Sequence, residues 1–285
     1  MSIYFFAWIA SIMYGLEGLL AKVMSRHSIS NPWLLNFAWQ FFILVGTTIL
    51  ALWLGAGMPA HWMYIIFASL AYALASIFNT LAIYKLDISV LAPLFSFRTV
   101  LAVLAGALFL GEVLTFYQYI LILIIFIFGM FVSFDEQFTL KSFFNRKISF
   151  ALLSMVFLVA LAVFIKKAVA ATNFWDTSFW VALLGQIWMC ATIPLFKNDL
   201  PRVTAKQYGT IVIIALMGVV GTLAANAAYS KNVSIAATII SLPLSMIGAF
   251  LASRFAPDLL EKHTLKVYAT RFIAAAVMIV AALNL

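Results

Sequence analysis

Two charged residues sit where charges are expensive. The stretch YGLEGLLAK (14–22) sets Glu17 among glycines and leucines, and APLFSFRTVLAVLAGALFL (92–110) carries Arg98 within a long apolar run. Charges inside such runs cost at least about 2.5–3.5 kcal/mol on insertion scales, so they face a polar interior and often pair. A carboxylate and a guanidinium bounding one cavity suit a zwitterion: the carboxylate faces an ammonium, and the guanidinium grips a carboxylate through parallel N–H donors. Glu17 is also titratable, which makes it the candidate for coupling to protons. The competing reading of the same two residues is a buried structural ion pair with no ligand. Lys22 lies five residues from Glu17, about 140° around a helix, and is not the obvious partner. Gln40, a turn from Asn36 and beside Trp39, and Asn226, in the stripe Gly218, Thr222, Asn226 and Ser230, are further candidates to line the cavity. Asn79 ends a stripe with Ala71 and Ala75; small stripes also serve close helix packing.

Enzyme chemistry finds little footing. There is no H-E-x-x-H, G-x-S-x-G or P-loop. His27, His61 and His263 stand apart near the ends of apolar runs, and Cys190 is the single cysteine, so no disulfide within the chain and no thiolate metal site is expected. No enzyme activity, cofactor or metal is expected.

Composition decides which elements must hold these residues. The 285 residues are 66% hydrophobic and only 9% charged, against roughly 45–50% and about 25% in soluble domains. The chain reads as an all-α, multi-pass membrane protein. Its net charge of +8 therefore points to span orientation and anionic lipid head groups rather than nucleic acid. Runs of about 20 apolar residues predict ten transmembrane helices, near 3–24, 33–55, 61–84, 88–110, 115–134, 148–171, 175–196, 207–229, 233–255 and 265–284. The amino terminus reads as the first span, since it lacks a basic n-region and a small-residue cleavage site.

The chain matches itself. An offset of 145 places Ala82, Tyr84, Ser89, Ala92 and Ser96 on Ala227, Tyr229, Ser234, Ala237 and Ser241, and Lys22 on Lys167; an offset of 146 places Gln40 on Gln186. An offset of 149 places Leu110, Glu112, Thr115 and Tyr119 on Leu259, Glu261, Thr264 and Tyr268, with the insertion near Ser253–Pro257. This predicts a five-span repeat over 1–134, a connecting loop over 135–147 and a second five-span repeat over 148–285. An odd span count inverts the second copy, the architecture of secondary transporters with a midplane site. Pro93 and Pro243 fall inside the repeat-related fourth and ninth spans, where a kink serves packing or lines a cavity. Glu112 and Glu261 stand at span ends where a carboxylate stays wet, as structural or gating groups.

These residues carry a resemblance. APLFSFRTVLAVLAGALFLGEVLTFYQ (92–118) resembles the fourth-span signature of the EamA-type drug/metabolite transporter superfamily, through Pro93, Gly111, Glu112, Thr115 and Gln118. The second copy, LLEKHT, lacks the glycine. The resemblance implies ten spans and transport of small metabolites, with no universal catalytic residue. In the small multidrug transporters, distant relatives, a first-span glutamate alternately holds protons and substrate; aligning Lys22 with their lysine places Glu17 about one turn later.

The expectation is a secondary transporter of small organic metabolites, amino-acid-like or amphipathic, in the cytoplasmic membrane, acting as a monomer or homodimer. A channel, whose pore modest residues can line, or a non-transporting scaffold or receptor is the alternative. Orientation follows from charge. Lys22, Arg26, Lys85, Lys141, Arg146, Lys147, Lys197, Arg202, Lys206, Arg254, Lys262 and Lys266, with Arg271 deeper, share one side; Lys166, Lys167 and Lys231 share the other with both termini. The positive-inside rule places both termini outside, whereas the resemblance implies termini inside.

Overall fold

The computed structural model describes residues 2–86, 91, 94–133, 146–245, 247–248, 250 and 265–285. Pro93, most of the connecting segment, Glu261 and Ser253–Pro257 lie outside the described residues. Among the described residues the secondary structure is helical: α1 Ile3–His27, α2 Pro32–Trp53, α3 Trp62–Lys85, α4 Ser96–Leu110, α5 Phe116–Ser133, α6 Arg146–Ala171, α7 Phe174–Met189, α8 Ala205–Tyr229, α9 Val233–Ile240 and α10 Leu265–Leu283. Local chemistry sets several of the starts. Asn31 Oδ1 accepts from the amides of Trp33 and Leu34, with Pro32 opening α2 where no amide donor is needed. Thr204 and Gln207 form a reciprocal capping box on α8. Gly111, at φ 62°, ends α4 in the left-handed region that a glycine adopts without strain.

Among the described residues, six stretches are long and apolar enough to cross a membrane: Ile3–His27, Pro32–Trp53, Trp62–Lys85, Lys147–Ala171, Phe174–Leu195 and Ala205–Tyr229. Shorter apolar helices cover Ser96–Leu110, Phe116–Gly129 and Phe272–Leu283. Two spans are less regular than the apolar runs predict. The seventh tightens into 3₁₀ turns at Cys190–Leu195, around Pro194, whose ring removes an amide donor. The ninth breaks after Ile240, and the chain is helical again only at 244, past Pro243. An apolar run records hydrophobicity, not the continuity of the hydrogen-bond ladder, so both departures are invisible to it.

Helices α3 and α6 pack along one another, as do α1 and α8, and α5 lies against α10. Helix α7 meets α2 and α3, α8 also meets α2, and α9 meets α1 and α4. Buried apolar residues fall into two separate clusters. One holds Ala7, Ala10, Ile65, Ala71, Ala102, Ile165, Ala228 and Leu285, at the end where both termini lie. The other holds Ala21, Met24, Leu35, Ile83, Leu94, Ala151 and Ile214, at the opposite end. Along α1, α3, α4 and α8 the two clusters leave a central layer between them, and that layer is where the polar residues collect.

Candidate functional site

A cavity of about 180 Å³ occupies the central layer. Among the described residues, every helix except α5 and α10 contributes to its wall. Glu17, Arg98, Gln40 and Asn226 all line it, together with Asn79, Thr222 and Pro243. All four of the first group are buried, so their polar atoms face the cavity or each other rather than bulk water.

Glu17 and Arg98 share this cavity, yet no ion pair joins them among the described residues. Trp39 Nε1 donates to Glu17 Oε1 at 2.8 Å. Arg98 donates through an Nη to the Tyr229 hydroxyl, and its guanidinium also lies 5.7 Å from the Tyr229 ring centre. The structural ion pair expected as the competing reading is therefore absent from the described contacts: each charge has a neutral partner of its own. Lys22 does not turn to Glu17 either. Its ammonium donates to the carbonyls of Ile83 at 2.8 Å and Leu86 at 2.6 Å, where α3 ends and carbonyls lack helical partners. Lys22 is buried, inside the predicted first span.

The amides play different parts. Gln40 Oε1 accepts from the Tyr72 hydroxyl. Asn226 Nδ2 lies 3.4 Å from Ser178 Oγ. Asn36 does not face the cavity; it knits α2 to α3 and α7 through Ser76, Thr80 and Met189. Arg98 Nε, Asn79 Oδ1 and Ser11 Oγ are buried and, among the described residues, meet no hydrogen-bond partner.

Glu112 is a correction. It is buried rather than wet, and its carboxylate takes four donors: Lys166 Nζ at 2.6 Å, Val233 N at 2.7 Å, Ser234 N at 2.9 Å and Ser234 Oγ at 2.6 Å. It thus caps the amino end of α9, where unpaired amides and the helix dipole favour an anion. Burial pushes its proton affinity up, but the hydrogen bonds from Lys166, Ser234 and the two backbone amides outweigh this and hold the carboxyl below its ordinary range. A side chain at Gly106 would collide with both Glu112 and Ser234. Pro243, beyond the other end of α9, is buried and lines the cavity.

Sequence reasoning missed the tyrosines. Tyr14, Tyr72 and Tyr229 all line the cavity; Tyr14 shares a face with Glu17, and Tyr229 is a repeat match of Tyr84, but neither signal separates a cavity tyrosine from an interfacial one.

The molecule is a multi-pass helical membrane protein with a charged cavity at mid-height. Residues 1–134 match the model of the EamA-like transporter family. The match stops short of half the chain, and Glu17, Gln40 and Arg98 of the cavity wall lie within it. No curated protein matches the chain. A solved structure, described only as "Crystal structure of protein", is similar over 96% of this chain and 94% of its own, at 13% identity and a TM-score of 0.66. At that identity the likeness concerns the fold, and it reaches beyond residue 134 to nearly the whole chain.

Proposed function

We propose that this chain is a secondary transporter that carries a small organic solute, amino-acid-like or amphipathic, across the cytoplasmic membrane by alternating access. The carrying observation is that Glu17 and Arg98 line one cavity without neutralising each other. Opposite charges held apart suit opposite ends of a zwitterion, and the apolar clusters above and below leave either end free to part. Coupling to protons runs through Glu17.

The helix packing supports two inverted five-helix halves, 1–134 and 148–285. Exchanging each helix of α1–α5 with its counterpart in α6–α10 turns the α3–α6 contact into α8–α1, α3–α7 into α8–α2, and α4–α6 into α9–α1; all of these occur. The α2–α7, α4–α9 and α5–α10 contacts map onto themselves. A two-fold relation of this kind lets one closed end be traded for the other.

The test is a thermal-shift screen of purified protein against a metabolite panel, followed by counterflow of the strongest stabiliser in proteoliposomes. A carrier gives saturable uptake driven by unlabelled solute inside. Flux proportional to concentration, without counterflow, would assign a channel instead.

A further inference from the structure

The acidic end of the cavity is held in one orientation. Glu17 Oε1 accepts the indole N–H of Trp39 at 2.8 Å, and Trp39 is only 4% exposed. The same oxygen rests against Gly218 of α8, where an added Cβ would overlap it and come within 2.6 Å of Ile43 Cδ1. Oε1 is thus walled by an indole on one side and by bare backbone on the other. Among the described residues nothing donates to Oε2, and it is not among the sealed polar atoms. The carboxylate offers the cavity one oxygen.

That geometry discriminates between cations. An ammonium is a compact point charge that a single oxygen satisfies, whereas a guanidinium binds best through two parallel N–H bonds to both carboxylate oxygens. We propose that Trp39 and Gly218 are positioning residues that set the acidic end of the cavity to select a primary ammonium over a guanidinium. The inference rests on the cavity being the solute site. Gly218 supplies the space for Oε1, and Trp39 occupies the acceptor that a second guanidinium bond would need.

The probes are phenethylammonium and phenethylguanidinium, which differ only in the cationic group, titrated calorimetrically into full-length protein in lipid nanodiscs. Wild type is expected to bind the ammonium about tenfold tighter, the worth of one charge-assisted hydrogen bond. Trp39→Phe keeps a ring but removes the donor, and should bring the ratio near unity in the folded protein. Gly218→Ala pushes the carboxylate away from α8 and should also lower the ratio. It carries the test if Trp39→Phe fails to fold, and if neither variant folds the wild-type ratio decides. Equal affinities in wild type, or a ratio that survives in folded variants, overturn the positioning role while leaving the cavity as the solute site. Binding of neither probe overturns it as well. If quantitative alkylation of a Thr222→Cys protein then leaves counterflow of the transported solute unchanged, the placement of transport in this cavity falls separately.

Discussion

Glu17 and Arg98 share a cavity yet take their hydrogen bonds from Trp39 and Tyr229 rather than from each other. This decides what substitution should do. Had they formed a buried pair, removing one partner would strand the other and cost about 3–5 kcal/mol. With separate partners, the stability losses of Glu17→Gln and Arg98→Gln should add to within about 0.5 kcal/mol in the double variant. Thermal unfolding of the four proteins measures this, and a coupling well above that limit would restore the pair. Glu17→Gln keeps an acceptor for Trp39, so it should fold, lose proton-driven transport and retain counterflow; Arg98→Lys should weaken carboxylate-bearing solutes selectively. Depth along the helices was enough to single out both residues, because an apolar run makes a charge conspicuous. Their partners were not legible. A tryptophan or tyrosine in a hydrophobic span reads equally as packing, as an interface anchor or as a donor, and Tyr229 is 131 positions from Arg98 in the chain.

At the level of elements, α9 links the cap at Glu112 to the break at Pro243. Its eight residues are all buried, with Ser234 held by Glu112 at one end and Ser241 and Pro243 in the cavity wall at the other. The repeat comparison located Glu112 and Ser234 but could not bring them together, since the contact closes over 122 positions. Reading Glu112 as wet followed from its place at a span end; the amino end of α9 packed over it is what removes the water. Because its carboxyl is held below the ordinary value of 4.5, the cap's contribution is complete above that value and is lost as pH falls through the lowered one. Melting temperature should therefore drop on acidification below the ordinary carboxylate range more steeply in wild type than in Glu112→Gln; parallel curves would remove the cap from the stability account. Pro243→Ala should restore continuity to the ninth span and depress transport with folded protein retained. Loss of folded protein would instead make the break a packing feature.

Over the whole molecule, composition and hydropathy anticipated the helical class, while among the described residues six stretches, against ten predicted spans, are long and apolar enough to cross a membrane. Neither composition nor hydropathy could show that buried apolar residues divide into two clusters with a polar layer between, because no single helix carries that division. The direction in which this body sits follows from charge: a cysteine added at the carboxyl terminus, with Cys190 replaced, should react with an impermeant reagent from outside intact cells. Reaction only after permeabilisation would reverse the orientation. The central claim is that solute crosses through the cavity bounded by Glu17 and Arg98. Thr222 lines that cavity on α8, and Cys190 is exposed and so is exchanged for serine first. Counterflow by the Thr222→Cys protein, before and after alkylation, is the direct measurement. The account predicts that alkylation blocks counterflow and that saturating solute slows the alkylation; full transport by quantitatively alkylated protein would contradict it.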